Sequence, residues 1–465
     1  MSEASCIALP SVAAFDSGKM PFGFTDRLEN PEFFAVLSAS PCYGRIPIRH
    51  EHTSVPLAMP SADSNDSVPV SPEKKVSIFS FFSCSGFLDL GFERAAGTPY
   101  EIRMANEIDA NFRRCYRFSR EHLCPPVALR EDFFFPESIE KLVRWGTRPR
   151  KADAKDYERF VNLLEADRRE GHVIGFIGGP PCPDFSRAGL NAGKDGEVGP
   201  LSRQYVRIIN QQQPDFFLLE NVKGLASSDK HKPYFESLCR DLRKTHVISF
   251  HIVNALWYGV PQFRERLIIV GIRKNLVAKD IARRFDKELN WESYQPFKKI
   301  VARFHKDWPK SRLFKMGDSA PFTDIPSELL DLTVARWWQL NDVEHHPNQN
   351  NQTVPKATTR ARYRTIPEGN SRGKSYHRLH RGRYSFTACY GHNEVPLHPW
   401  LPRRISVAEA LATQSLPKDF SLPVDMGISP LFKAVGNGVP FLMAKGLAEM
   451  IADYLKAHNI VNVKQ

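Results

Sequence analysis

Cysteine is scarce in this chain and unpaired in its spacing: the eight residues Cys6, Cys42, Cys84, Cys115, Cys124, Cys182, Cys239 and Cys389 include no CxxC pair. That argues against a zinc ribbon and against a disulfide framework, and a reducing cytoplasm is the expected compartment. No uninterrupted apolar run approaches the ~20 residues of a membrane span. The first residues lack a basic region followed by an apolar stretch, so no secretory signal is expected. Acid is the sign in short supply, 52 Asp and Glu against 64 Lys and Arg, which gives a formal charge of +12 and a pI near 9.2. An excess of this kind favours a polyanionic partner over an acidic small molecule.

What is present has the length for two or three domains, and the 42% hydrophobic content supports a packed core. Residues 1–75 are rich in Ser and Pro without a sustained period, and read as a weakly ordered extension in which only "ENPEFFAVL" suggests a short helix. From Val76 short apolar runs alternate with amphipathic segments: "VSIFSFF", "LDLGFERAAG", "EIRMANEI", "NFRRCYRF", and later "VIGFIGG", "DFFLLENV", "HVISFHIVNA" and "RLIIVGIR". A helix is expected at "LSRQYVRIINQQQ", where Leu201, Tyr205, Ile208 and Ile209 share a face. The alternation predicts an α/β, doubly wound, mostly parallel sheet over residues 76–273. Residues 274–400, rich in Trp, Pro, His and basic side chains, are expected to form a smaller irregular domain. Helical periodicity then resumes over 401–465 and returns to the first domain.

Chemistry concentrates at Gly178-Gly179-Pro180-Pro181-Cys182-Pro183-Asp184-Phe185-Ser186. A cysteine on a stiff proline loop directly after the strand "VIGFI" is presented rather than buried. Alone it would be as easily a small core hydrophobe as a nucleophile. It is followed in order by "LLENVKGL" at 218–225, "PQFRERLIIVG" at 261–271 and "AVGNGVPF" at 434–441. Together these strings resemble the DNA (cytosine-5)-methyltransferase family of bacterial restriction-modification type, from Val76 to the C-terminus.

That resemblance implies a methyltransferase fold and S-adenosylmethionine as cofactor. The segment between Phe81 and Gly91 fails as a dinucleotide fingerprint, because only Gly86 stands where a glycine is wanted. It looks like the family's first motif, departing from it at Cys84 and Phe87. Glu107 lies at the end of the next strand, where a carboxylate can accept from both ribose hydroxyls. By resemblance Ile108 packs on the adenine, Asp132 accepts from its amino group, and Phe82, Ser83, Gly86, Pro181, Leu201, Asn437 and Val439 complete the cofactor site.

Cytosine carbon 5 accepts an electrophilic methyl group only after the ring is made electron-rich, which addition of a thiolate at carbon 6 achieves. Cys182 is the candidate nucleophile. Glu220, at the end of "FFLLE", can protonate or hydrogen-bond ring nitrogen 3. Gln262, Arg264 and Arg266 alternate onto one face of an extended segment, and the resemblance gives Arg266 to the base and Arg264 to the nucleophile loop. The target base must leave the duplex to reach these groups.

Between Lys356 and Arg383 stand nine Lys or Arg against the single acid Glu368. We expect Gln262, Arg360, Arg362, Arg364, Arg372, Arg378, Arg381 and Arg383 to contact double-stranded DNA. A cognate restriction endonuclease would share the site, no membrane is involved, and a monomer is expected. A transfer RNA cytosine-5 methyltransferase, or a DNA-binding regulator that has lost the reaction, are the alternatives. The bases flanking the target are not legible.

Overall fold

The structure is a computed structural model that describes residues 74–97, 100–144, 154–181, 199–320, 322–372, 376–388, 390 and 394–461. The expected extension, apart from its last two residues, lies outside these, as does Cys182.

Among the described residues seven strands are formed: β1 Val76–Phe81, β2 Tyr100–Asn106, β3 Phe134–Phe135, β4 Val173–Gly178, β5 Phe216–Val222, β6 His246–Asn254 and β7 Glu265–Arg273. They make one sheet in the order β3-β2-β1-β4-β5-β7-β6. The pairs β1 with β2, β1 with β4, β2 with β3 and β4 with β5 are parallel. The pairs β5 with β7 and β6 with β7 are antiparallel. The middle strands VSIFSF and VIGFIG are buried along their whole length, as expected of parallel strands covered on both faces.

The period of two divides their side chains between two cores. Val76, Ile78, Phe216 and Leu218 pack on one face with Leu88, Phe92, Met443 and Leu447, while Phe79, Phe81, Phe217 and Leu219 pack on the other with Phe160, Tyr205, Ile208 and Phe235. Fully burying each such Phe or Leu stabilises the fold by roughly 1.5–3 kcal/mol. Helix α1 Phe87–Glu93 supplies the first face, and α3 Ala154–Arg169, α4 Gly199–Gln212 and α5 Lys232–Leu242 the second, whereas α2 Ala110–His122 packs elsewhere, with Phe112 and Cys115 against Phe87 and Leu90.

Residues 274–400 carry short elements only, among them α6 Lys279–Glu288, α7 Val334–Leu340 and α8 Ala357–Tyr363. The chain then forms α9 Val407–Thr413, α10 Ile428–Asn437 and α11 Phe441–Ala457. A capping box starts α9, with Ser406 accepting from Glu409 N and the Glu409 carboxylate accepting from Ser406 N. Helix α11 packs on α1 and closes the first core, whereas Phe87 and Leu90 of α1 join Val407, Leu411 and Phe432 in a third.

Strand order reverses between β1 and β4, the crevice where open α/β sheets bind ligands. The loops after β1, β2, β4 and β5 meet there.

Candidate active site

An open cleft of about 1670 Å³ occupies this crevice. At one end the loop after β1 takes left-handed backbone at Phe82 (φ 54°), Cys84 (φ 50°) and Gly86 (φ 76°). Such conformations cost about 1–3 kcal/mol at a non-glycine residue and persist only where the surroundings impose them. Here Ser83 N donates to Asn106 O at 3.1 Å, and Gly86 N to Ser83 O at 2.8 Å. Cys84 N donates to Glu107 Oε2 at 2.9 Å, and the other oxygen of Glu107 accepts from Asp109 N at 2.8 Å. Burial pushes the Glu107 carboxyl above its ordinary range, and each of its oxygens retains capacity for a further hydrogen bond. Ile108 beside it is 67% exposed on the cleft wall. Burial also raises the Cys84 thiol, which makes this wall cysteine an unreactive one.

Phe82, Glu107, Ile108, Pro181, Leu201 and Asn437 all line the cleft, as expected from the sequence. Ser83, Gly86 and Val439 stand behind the wall. Ser83 is buried, Val439 belongs to the first core, and a Cβ on Gly86 would lie 2.5 Å from the Tyr116 ring, so this glycine serves packing. Asp132 is a correction. Its exposed side chain pairs with Arg130 at 3.1 Å, away from the cleft. The strand end that reaches the cleft is that of β3 at Phe135, so Glu137, Ser138 and Ile139 line it instead. Asn106 fixes that turn by donating to Phe135 O at 2.9 Å and Glu137 O at 2.8 Å.

At the other end, Glu220 near the end of β5 faces Arg266 of β7. Arg266 Nε lies 2.8 Å from Glu220 Oε1, with both side chains nearly buried. The antiparallel register, which pairs Glu220 with Ile268 and Val222 with Arg266, brings them together. The second carboxylate oxygen points at Gly179, where a Cβ would stand only 2.9 Å away. Asn221 is buried, donates to Pro180 O at 3.5 Å and accepts from Val222 N at 2.9 Å, tying the proline loop to the carboxylate strand. Lys223 and Glu265 form a second ion pair on the wall. Pro181 lines the same cleft as Glu220, and the chain enters Cys182 directly after it.

Arg264 is buried and reaches away from the sheet, donating to Ala388 O at 3.2 Å and to Gly436 O at 3.0 Å. It therefore braces the backbone beside Asn437 as well as the wall. An acid held by a guanidinium beside the proline loop thus shares one cleft with the Glu107 carboxylate.

The C-5 cytosine-specific DNA methylase family matches residues 161–453 of the chain. The type II methyltransferase M.NmeDI of Neisseria meningitidis serogroup C is 43% identical over 412 residues, covering 88% of this chain and 91% of that protein. The chain belongs to the C-5 cytosine-specific DNA methylase family. The type II methyltransferase M.MthTI of Methanothermobacter thermautotrophicus is 27% identical over 395 residues, covering 80% and 96% of the two chains. A prophage-encoded Escherichia coli chain named for DNA modification superposes with a TM-score of 0.52 at 21% identity, over 82% of this chain and 100% of that one, a likeness of fold. The enzyme is thus a DNA (cytosine-5)-methyltransferase, and among its described residues no helix is long and apolar enough to cross a membrane.

In this methyltransferase the cations expected to meet DNA fall into two groups. Arg360 and Arg362 of α8, with Arg364 and Arg372, are exposed, and Arg383 is half-buried over the Tyr384 ring. Arg378 is fully buried and donates to Ile366 O at 2.9 Å, Leu401 O at 3.1 Å, His398 O and Tyr363 O at 2.5 Å. Arg381 is buried against Glu368, at 3.0 and 3.2 Å, and donates to Ala320 O at 2.8 Å. Gln262 is also buried, donating to Thr413 O at 3.3 Å and accepting from Ala388 N at 3.3 Å. Arg378, Arg381 and Gln262 hold the fold and are not available to a duplex, a correction to the sequence reading. Of the residues that sequence reasoning passed over, Gly179 was signalled only by the doubled glycine before the prolines.

Proposed function

We propose that this enzyme methylates carbon 5 of a flipped-out cytosine within a short duplex sequence, with S-adenosylmethionine as the methyl donor, as the modification enzyme of a type II restriction-modification system. The observation that carries the proposal is the sharing of one cleft by the Glu220–Arg266 pair and the Glu107–Ile108 edge. The strained loop, the accepting carboxylate and the bare apolar face of Ile108 fit an adenosine. When bound, the cofactor supplies an electrophilic methyl group.

The chain's own residues prepare the base. Cys182 forms a carbon–sulfur bond to ring carbon 6, and the electron pair of the 5,6 double bond moves onto carbon 5, with charge shared by ring nitrogen 3 and the carbonyl. Glu220 meets that charge by protonating or hydrogen-bonding nitrogen 3, and Arg266 holds its carboxyl in place. After transfer, loss of the carbon 5 proton to a base expels the thiolate and restores the double bond. Residues 76–273 with 401–465 form the catalytic domain in this reading. Residues 274–400 form the target-recognition domain, with Arg360, Arg362, Arg364, Arg372 and Arg383 toward the DNA. The enzyme acts as a monomer, and a cognate endonuclease shares its target without binding it.

Methyl transfer to duplex DNA and to transfer RNA, measured side by side, tests the substrate. A duplex carrying 5-fluorocytosine should trap the wild-type enzyme covalently and leave Cys182→Ser untrapped. Trapping of the serine variant, or transfer to transfer RNA alone, would sink the proposal.

A further inference from the structure

The loop 82–86 owes its shape to a side chain that never reaches the cleft. Arg120 of α2 is completely buried and absent from the cleft wall. Its Nη2 donates to Gly86 O at 2.8 Å, and its Nε pairs with Glu93 at 2.9 Å. The guanidinium lies 4.4 Å above the Tyr116 ring. The Tyr116 hydroxyl donates to Asp89 Oδ2 at 2.8 Å, and Asp89 Oδ1 accepts from Ser80 of β1 at 2.7 Å. The chain Ser80, Asp89, Tyr116, Arg120, Gly86 therefore runs from the central strand under α1 and back up to the last left-handed residue of the loop. Gly86 O also accepts from Leu90 N at 2.9 Å, so the carbonyl that opens α1 is the one the guanidinium holds.

We propose that Arg120 is the positioning residue for the cofactor loop: by fixing the Gly86 carbonyl it keeps Phe82 and the Cys84 amide where they complete the Glu107 edge of the cleft. The proposal rests on the reading of that edge as the S-adenosylmethionine site. A buried arginine is an expensive device, since removing its charge from water costs several kcal/mol unless every contact is good. Here Glu93 supplies the countercharge, Tyr116 the face, and a single carbonyl the direction. A lysine can keep the countercharge, but as a point charge it cannot hold Glu93 and Gly86 O in one plane.

Binding of S-adenosylhomocysteine to the full-length enzyme, followed by calorimetry, tests the idea together with steady-state kinetics. Arg120→Lys should raise its Kd, and the KM for S-adenosylmethionine, by at least roughly tenfold, the low end for losing a hydrogen bond to a charged group. Turnover at saturating cofactor and DNA affinity should be unchanged. Tyr116→Phe, which keeps the ring beneath the guanidinium and loses only the Asp89 bond, should raise the same Kd by a smaller factor with the fold intact. Wild-type cofactor affinity in both variants, with a lowered melting temperature as their only change, overturns the proposal and leaves Arg120 a packing residue. Failure of the wild-type enzyme to bind S-adenosylhomocysteine would overturn the cofactor reading itself.

Discussion

Gly179→Ala is the most economical test of how the acid is held. A Cβ at this position would lie 2.9 Å from Glu220 Oε2, whereas ordinary contact begins at 3.4 Å, so the carboxylate must retreat by the difference, 0.5 Å. It cannot simply swing away, because Oε1 is held at 2.8 Å by Arg266 Nε and the strand beneath is paired residue for residue with β7. A misplacement of about 1 Å at a reacting group can cost roughly a hundredfold, so half that distance predicts a loss of about tenfold or more in the chemical step. The backbone itself tolerates alanine, since Gly179 is not among the residues with left-handed φ. The ~0.4–1 kcal/mol typical of a compatible glycine replacement is therefore offset by the displaced carboxylate, and the fold should persist with little net change in stability. Single-turnover methyl transfer at saturating DNA and cofactor measures the step, and thermal unfolding measures the fold. A variant with an unchanged single-turnover rate would refute the role of Glu220 as the group that meets ring nitrogen 3.

Glu107→Ala should weaken S-adenosylhomocysteine by about 1–3 kcal/mol in calorimetry, the range for lost charge-assisted hydrogen bonds, with DNA affinity kept. Arg378→Ala should cost at least about 3 kcal/mol of unfolding free energy, because several buried carbonyls each lose a donor worth about 1–3 kcal/mol, whereas Arg360→Ala should leave melting unchanged and flatten the slope of log DNA affinity against log salt by about one. Acid unfolding should depend on Glu409. Burial opposes its charge, but His398 and Arg403 beside it hold the carboxyl down at about 2, from an ordinary 4.5. A depressed folded value means stability that is complete above pH 4.5 and lost as pH falls through 2. The shift corresponds to about 3 kcal/mol, and Glu409→Gln should remove that dependence from denaturant titrations across the window.

Six of the seven strands were legible because each declared itself by a continuous apolar run or by position after a turn. "VSIFSFF" and "VIGFIGG" became β1 and β4. β3 was not, because its ladder is two residues long and leaves no period to read. The misplacement of Asp132 follows directly from that omission, since the edge of the cleft is set by where β3 ends and not by the nearest acid in the string. Motif order singled out Glu220 and Arg266, yet gave no hint that the antiparallel register of β5 and β7 would bring them into an ion pair.

Charge counting failed in a more instructive way. The stretch from Lys356 to Arg383 has nine cations and one acid, and an extended-face reading treats the lone acid as incidental. In the fold Glu368 is almost completely buried and gathers two of the lobe's arginines, Arg312 at 2.8 Å and Arg381 at 3.0 Å. Arg378, without a carboxylate of its own, spends its donors on backbone carbonyls of Tyr363, Ile366, His398 and Leu401. A segment with so little regular structure has backbone carbonyls that no helix or strand satisfies, and a planar guanidinium with five donors can satisfy several at once. The same residue type that meets phosphates outside thus replaces secondary structure inside. Sequence cannot separate the two uses, because what distinguishes Arg378 from Arg360 is the set of loops folded around it, not its neighbours in the chain. The basic face left for a polyanion is correspondingly smaller than the count: Lys356, Arg360, Arg362, Arg364 and Arg372 are exposed and Arg383 is half-buried.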